Sequence, residues 1–290
     1  MGTRRTGRPL QRAIHRAVGM AVVLGLLWGA SSVHAQSWHE AGDPFNDRFR
    51  IDLGTFIVNT STTIQVNGAG GRGTEFDTEH ELGFHDSDRF RADAYWRFFK
   101  RHKLRLMYFD TDRHASKAID REIQFRDTTF PVSAQLDSRF LTRVAELAYE
   151  YSFVRTDRFE VDAAVGIHNL KFQLDLSGSA MAGMQQRSAS QSASVQADGP
   201  LPVVGLHGIW KLSPRFYLDA QAQFFKISIS PYDGRLEDYN ASAVWQFLRH
   251  VGVGAGYNEF ITKLDVSSSS FNGSLRWRYG GMRLFVNASF

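Results

Sequence analysis

The sequence predicts an all-β protein, a transmembrane antiparallel up-and-down β-barrel of ten strands, with eight or twelve strands as alternatives. Three observations support this prediction. The chain begins with an export signal. Its later segments alternate apolar and polar residues over about ten positions, the length of a tilted membrane strand. It ends in GGMRLFVNASF, in which every second residue from Met282 onward is apolar.

Residues 1–35 have the layout of a secretory signal peptide. Five arginines precede a run of 14 apolar residues, 17–30, and a small-residue site follows. The run is shorter than the roughly 20 residues that a spanning helix needs. We therefore expect cleavage between Ala35 and Gln36, after export across the inner membrane. An N-terminal membrane anchor is the alternative.

The charge and the cysteine count exclude several classes of protein. The formal charge of +4 includes the five arginines of the leader, so the mature chain carries about one negative charge. A nucleic-acid partner would require a basic patch on the mature surface, and this balance gives no support for one. The absence of cysteine excludes disulfides, thiolate zinc sites and a lipoprotein anchor.

Alternation along the chain indicates the strands. In RFRADAYWRFF, Phe90, Ala92 and Trp96 share one face, and Arg91 and Asp93 share the other. The same pattern recurs along the chain. The predicted strands span residues 48–60, 86–99, 103–113, 140–153, 158–172, 201–211, 215–229, 236–247, 250–264 and 271–290.

A water-soluble sandwich also alternates, but two features favour a membrane barrel. Aromatic residues of the apolar faces cluster beside the short turns, as an interfacial girdle would. The predicted turns at 100–103, 154–158, 212–215 and 248–250 are short, whereas the connections between them are long. We therefore expect a periplasmic N-terminal segment at 36–47 and a barrel at 48–290 with long extracellular loops. The Ser/Ala/Gln-rich loop 177–199 is predicted to be mobile.

The alternation changes phase within several predicted strands. It slips at His168 to Leu170 and at Tyr257 to Phe260, and it inverts at Gly280-Gly281. We interpret the slips as β-bulges, or as strands that rise beyond the membrane. At Gly280-Gly281 we favour a glycine bulge within one long last strand, because a turn there would make the strand count odd.

The signal peptide, the strand count and the closing YGGMRLFVNASF resemble the small outer-membrane β-barrels of Gram-negative bacteria, whose last strand typically ends in Phe. In that family the barrel-assembly machinery recognises the last strand. The resemblance implies this role for Gly281, Leu284, Val286 and Phe290, although Ala288 stands where an aromatic residue is common. It also implies contact with outer-membrane lipids and lipopolysaccharide. We expect a monomer.

A second stretch is similar to one in a group of uncharacterised barrels of this kind. It runs from Gly73 to Glu79, GTEFDTE, and is followed by Leu82-Gly83-Phe84. The resemblance covers nearly the whole mature chain in architecture and implies no established activity.

The polar faces of the predicted strands carry charges of both signs, which should pair across a narrow lumen. We favour a salt-bridged plug, and a selectivity lining for a solute path is the alternative. The predicted lumen charges are Arg50, Asp52, Arg91, Asp93, Arg97, Glu146, Glu150, Glu160, Asp162, Asp219, Arg276 and Arg278.

The best candidates for catalysis are Asp110, Asp112 and His114, which share one face at the outer end of the third predicted strand. A histidine oriented by a carboxylate can act as an acid or base, but polar rim residues are usual in solvated loops. We therefore expect a non-enzymatic protein without a cofactor or metal, whose extracellular loops contact ligands or surfaces. A narrow solute channel and a rim enzyme acting on lipid A or peptides are the alternatives.

Overall fold

The computed structural model describes residues 43–85, 89–182, 187–267 and 272–290. The predicted signal peptide, its cleavage site at Ala35 and Gln36, and residues 36–42 lie outside the described residues. Within the described residues, no helix is both long and apolar enough to cross a membrane.

Almost all of the described chain is antiparallel β-structure. One short helix, α1, spans Thr78–Leu82. The strands are β1 (Phe49–Val66), β2 (Phe76–Asp77), β3 (Arg89–Phe99), β4 (His102–Ala118), β5 (Ile123–Phe125), β6 (Thr128–Phe130), β7 (Gln135–Arg155), β8 (Phe159–Ala182), β9 (Arg187–Ser213), β10 (Phe216–Ile229), β11 (Tyr232–Gln246), β12 (Val251–Ser267) and β13 (Asn272–Ser289).

Ten of the described strands form a closed ring, which confirms the predicted fold class. The order around the ring is β1, β3, β4 and then β7 through β13, and β13 pairs again with β1. This last pairing is continuous from Arg50 opposite Ser289 to Val66 opposite Gly273. The final carbonyl, of Phe290, accepts hydrogen bonds from the backbone N–H groups of Arg48 at 2.5 Å and Phe49 at 3.0 Å. The wall therefore closes without a free edge at this seam.

The outer face of the ring is apolar in the half that bears the short turns. Leu106, Leu147, Val165 and Leu206 point outward and are each at least half exposed. An apolar band of this kind is the surface that lipid covers in membrane barrels. Aromatic residues border it beside the short turns, and pairs of them stack, such as Phe159 on Trp210 with ring centres 5.5 Å apart. The aromatic residues on this border are Trp96, Phe98, Tyr151, Phe153, Trp210, Phe216, Trp245 and Phe247.

A β-bulge is wrong at each of the three predicted places, because the strands keep one facing there; for the two slips, the alternative of strands that rise beyond the membrane agrees with the structure. The ladders of β13 with β1 and with β12 run past Gly280-Gly281 without a register shift. The ladders of β8 likewise run unbroken past His168 to Leu170, and those of β12 past Tyr257 to Phe260. Instead, the outer and inner faces of the wall exchange apolar for polar side chains at the height of these residues. Nearer the short turns the outside is apolar and the inside charged, and farther out the outside is polar and the inside apolar.

Two predicted lumen residues are therefore placed wrongly. Arg276 and Arg278 lie on the outer surface, where Arg276 pairs with Glu75 at 3.1 Å and Arg278 with Glu259 at 2.5 Å. Their neighbour Trp277 points into the barrel and is buried. The prediction assumed that charges mark the lumen along the whole strand, which holds only at membrane height.

The described residues of 177–199 do not form the predicted loop, because β8 and β9 continue into this segment. Ser177 pairs with Ser192, and Leu174 pairs with Val195. Backbone hydrogen bonds hold these strands whatever the side chains are, so the Ser/Ala/Gln composition does not interrupt them. From Val203 back to Arg187, β9 pairs with β8 and with no other described strand. Strands β7, β8 and β9 thus form a sheet that projects beyond the barrel.

A cap covers the outer end of the lumen. Helix α1 and the β5–β6 hairpin bury Phe76, Leu82 and Phe125 against the core. The Asp77 side chain accepts a hydrogen bond from the His80 N–H at 2.7 Å and so begins the helix. Gly83, at φ +76°, ends it, since this left-handed conformation favours glycine. The stretch GTEFDTE with its Leu-Gly-Phe sequel is thus the structural core of the cap.

The facing of β13 can be tested with single cysteines, because the chain has none of its own. We expect Arg276→Cys and Arg278→Cys to react readily with a water-soluble maleimide. The matched variant Leu275→Cys should react at least about tenfold more slowly, since its side chain is buried in the interior. Labelling is followed by mass spectrometry on intact cells. Fast labelling of Leu275→Cys and slow labelling of Arg276→Cys would instead support a glycine bulge at Gly280-Gly281.

Candidate functional site

The inner half of the lumen, at membrane height, is filled by a network of buried charges. The structure places ten of the twelve predicted lumen residues there, all except Arg276 and Arg278. Six further members of the network were not predicted from the sequence, namely Lys103, Arg105, His168, His207, Asp238 and Arg283. The alternation of HKLRLMYF, with Lys103 and Arg105 opposite Leu104 and Leu106, could have revealed two of them.

Lys103 lies at the centre of this network and is fully buried. Its Nζ contacts three carboxylates, Asp162 at 2.5 Å, Glu150 at 3.3 Å and Glu160 at 3.7 Å. Arg105 donates from Nε to the second oxygen of Glu150 at 2.6 Å. A buried carboxylate is tolerated only when it is paired and hydrogen-bonded. One ammonium thus joins acids from both β7 and β8.

His207 links this centre to the next group of charges. Its Nδ1 lies 2.9 Å from Asp162, and its Nε2 lies 3.2 Å from Asp219. Asp219 also accepts from Arg50 at 2.8 Å, and Arg50 donates to Asp52 at the same distance. The imidazole therefore bridges carboxylates of β8 and β10.

Bidentate arginine pairs complete most of the network. Arg97 donates to both oxygens of Glu160, at 2.6 and 2.8 Å. Arg91 and Arg283 share Asp93, with shortest contacts of 2.9 and 2.5 Å. Such fork-shaped contacts fix both distance and orientation. The side chains that line this part of the wall are therefore locked against one another.

Glu146, His168 and Asp238 form a separate cluster near the boundary with the apolar half. One ligand atom from each lies within 4.8 Å of the others. Glu146 accepts hydrogen bonds from Gln223 at 2.6 Å and Gln221 at 3.3 Å. Among the described residues, no lysine or arginine nitrogen lies within ion-pair distance of Glu146 or Asp238. A second group of possible metal ligands, Glu150, Asp162 and His207, already surrounds the Lys103 ammonium.

Apolar residues close both ends of the charged section. At the short-turn end, Phe45 inserts into the lumen and packs with Tyr217 and Phe285. Phe285 fits because glycines, Gly54 and Gly254, stand opposite it on both neighbouring strands, where a Cβ would collide with it.

Above the charges, a large aromatic cluster fills the lumen. It includes Phe109 and Tyr279, whose ring centres are 5.1 Å apart. Beside these two rings and Trp277 lies a cavity with a volume of about 10 Å³. A volume of this size holds about one water molecule. Aromatic and aliphatic side chains therefore pack across the lumen at this height.

The predicted catalytic residues lie outside the barrel, on the polar outer face of β4. His114 Nε2 is 3.3 Å from Asp112, but Arg139 holds both oxygens of Asp112, at 2.7 and 2.8 Å. The hydrogen bond from Arg139 lowers the pKa of Asp112 below its ordinary value. Asp110 contacts only the Tyr108 hydroxyl, at 3.5 Å, among the contacts described. These side chains are exposed, and no described cleft surrounds them.

Polar residues of the neighbouring connection do not join these three in one site. The His80 side chain is exposed. Glu79 belongs to the cap, where it accepts from Arg113 at 2.6 Å and from the Thr62 N–H at 2.7 Å. Asp86 and Asp88 lie outside the described residues.

The predicted assembly residues all lie on or after the closing strand. Leu284 and Val286 face lipid, and Gly281 faces the lumen, where a side chain would collide with the backbone of β1. The ring of Phe290 stacks on His250 with centres 5.2 Å apart. The same residues that the resemblance assigns to assembly therefore close the ring.

Comparison with known proteins shows the fold alone. Neither a family model nor a curated protein sequence matches the chain. The outer-membrane protease OmpT of Escherichia coli is similar in structure, with a TM-score of 0.51 and 11% identity over 88% of this chain and 100% of that one. A homologue of FadL from Pseudomonas aeruginosa gives a TM-score of 0.37 and 10% identity over 89% and 96%. The attachment invasion locus protein Ail of Yersinia pestis gives 0.30 and 10% over 84% and 99%.

The role of Lys103 can be tested by Lys103→Met, which keeps the length of the side chain and removes its charge. Because Glu150, Asp162 and Glu160 would lose their shared cation, we expect a loss of about 3–5 kcal/mol in the free energy of unfolding. The measurement is urea unfolding in detergent, followed by tryptophan fluorescence. The control, Lys100→Met in an exposed turn, should stay within about 0.5 kcal/mol. Equal midpoints for the two variants would contradict a central role for Lys103.

Proposed function

We propose that this chain is an outer-membrane β-barrel with a closed lumen, and that its projecting strands contact ligands or surfaces without catalysing a reaction. The observation that carries the proposal is the contrast between the two ends. The lumen is filled by paired charges and aromatic rings, whereas the sheet of β7, β8 and β9 extends outward with an edge to which no other described strand is paired.

The apolar outer band and the aromatic border support a location in an outer membrane. A closed ring satisfies the backbone hydrogen bonds that lipid cannot. The signal peptide supports export before insertion. We propose that β13 and Phe290 provide the assembly signal, that outer-membrane lipids and lipopolysaccharide surround the band, and that the protein is a monomer.

The filled lumen supports a plug rather than a channel. A solute path would need the Lys103 and Arg50 contacts to part, and each would leave a charge buried without a partner. It would also need the aromatic rings around Tyr279 to separate.

The rim contacts support a non-enzymatic role. A general base needs its carboxylate free to orient the histidine toward a substrate. Here Arg139 occupies both oxygens of Asp112, and His114 lies on an open surface.

The outward edge of β9 is suited to contact with an extended peptide. Pro200 and Pro202 lie on β9 opposite β8, and a proline nitrogen cannot donate to the ladder, so the backbone nitrogens at even-numbered positions of β9 face away from β8. The carbonyl of Ser194 also faces away from β8, because it accepts a hydrogen bond from Arg126 of the cap at 3.2 Å. Between Arg187 and Asp198, toward the outer end of β9, the edge carries no proline. A strand edge with unpaired N–H and C=O groups can accept an added strand.

The closed lumen predicts electrical silence. Reconstituted in planar bilayers, the wild-type protein should give no steady single-channel steps at about 100 mV. A general porin in the same lipid is the positive control. Steady conductance levels would favour the narrow channel over the plug.

The edge of β9 predicts a backbone-specific contact. Peptides selected from a phage-displayed library on the protein in nanodiscs should bind Ser192→Pro/Ser194→Pro at least about tenfold more weakly than wild type, since each proline removes an edge-facing N–H. The matched variant Ser192→Ala/Ser194→Ala keeps both N–H groups and should bind as wild type does. Failure of any peptide to enrich, or equal binding by both variants, would overturn the proposed contact.

A further inference from the structure

A row of four cations crosses the outer surface of the barrel. Its members lie directly opposite one another on the neighbouring strands β10 to β13, and they are Lys226, Arg235, Lys263 and Arg276. All four side chains are exposed on the outer face. Neighbouring strands lie about 4.8 Å apart, so this basic row is about 14 Å long. Like charges directly opposite one another are destabilising, and an anion that approaches the basic row relieves that repulsion.

Acidic side chains of the protein pair with only two members of the basic row. Arg235 pairs with Glu237, and Arg276 pairs with Glu75 at 3.1 Å. Among the described residues, no acid lies within ion-pair distance of either lysine ammonium. The two lysines therefore have their positive charge available for a ligand.

Two further acids lie near the lysines, but on the side away from the apolar band. Asp233 and Asp265 face outward one position beyond Arg235 on β11 and Lys263 on β12. Asp233 accepts a hydrogen bond from the Ser228 hydroxyl at 2.8 Å. A negatively charged group that approaches from the membrane therefore meets the basic row before it meets these acids.

The basic row borders the apolar band that faces lipid. On the outer face of β10, Phe224 comes directly before Lys226, and on β12, Ile261 comes directly before Lys263. Both apolar side chains lie nearer the short turns than the lysines do. The alkyl part of a lysine can lie along apolar surface while its ammonium reaches water. The two ammonium groups thus lie at the level at which lipid headgroups replace acyl chains.

A second row of charges, on the other side of the ring, is balanced by itself. It lies on β4, β7, β8 and β9 and consists of Asp110, Arg143, Lys171 and Asp198. Here two acids flank two cations within one row. The excess of positive charge in the basic row is therefore not a general property of the outer surface.

We propose that the basic row binds the phosphate groups of a lipid in the outer leaflet, with the acyl chains of that lipid along the apolar band. Lysine binds phosphate as a compact charge, and the fork of an arginine binds it with two hydrogen bonds. The adjoining apolar surface favours a lipid over a soluble phosphate, because acyl chains are buried there as well. This inference rests on the proposed location in an outer membrane and assigns one lipid site within it.

Lipid A that carries its phosphates is the probe, and dephosphorylated lipid A is its matched control. The purified, delipidated barrel is titrated with each lipid in a non-ionic detergent, and bound lipid is counted by native mass spectrometry. We expect the wild-type barrel to bind the phosphorylated lipid at least about tenfold more tightly. Lys226→Gln/Lys263→Gln should lose most of this preference, because it removes the two available ammonium groups. Equal binding of both lipids by the wild type would overturn the proposal.

The matched variant is Arg143→Gln/Lys171→Gln, which removes two outward-facing cations from the balanced row and should keep the wild-type preference. An equal loss in the two variants would contradict a site at the basic row. Pyrophosphate at the same concentration should not displace the lipid, since it has no acyl chain, and displacement would assign the basic row to a soluble phosphate instead. Cell fractionation tests the outer-membrane location separately, so a missing phosphate preference in detergent would contradict this inference alone.

Discussion

The pairing of β1 with β13 is the interaction on which the rest of the structure depends. A sheet surrounded by lipid has no water to satisfy its edges, so it is stable at membrane height only as a closed ring. Closure brings Asp52 of β1 next to Asn287 of β13, and it brings Arg50 within reach of Asp219 of β10 across the lumen. The same closure sets the width of the lumen, which a ring of this size fills with side chains. The charged network is therefore a consequence of the ring as well as a filling for it.

The two halves of the barrel obey opposite rules of burial because they meet different solvents. At membrane height, apolar residues such as Leu147 face lipid and Glu146 turns inward. Farther out, Arg278 faces water and Trp277 turns inward to join the aromatic cluster. The outer half thus has the arrangement of an ordinary soluble β-domain, with a core of packed rings. One continuous strand can satisfy both rules only if its sequence inverts its alternation at the boundary, as β13 does at Gly280-Gly281.

This inversion explains which features the sequence could predict. Alternation and short turns located all ten ring strands, since both depend on local chemistry that one segment carries by itself. The facing of Arg276 could not be derived locally, because it depends on where the membrane ends. The extent of β8 and β9 was also hidden, since Ser and Ala carry little β-signal and the pairing there comes from the backbone. The partners of His207 come from β7, β8 and β10, and no spacing in the sequence links those strands.

The division of the lumen also accounts for the position of the cluster of Glu146, His168 and Asp238. Glu146 and His168 lie at the last charged level before the aromatic rings, and the His168 ring already contacts Phe260 with centres 5.8 Å apart. Below this level, every buried carboxylate lies within ion-pair distance of a lysine or arginine, mostly on the same strand or across the lumen. Above it, Phe172, Trp277 and Tyr279 pack against one another. Arg113 is buried in this outer half as well, where it pairs with Glu79 of the cap. The boundary between the two solvents is thus the level at which aromatic rings replace the network of paired charges.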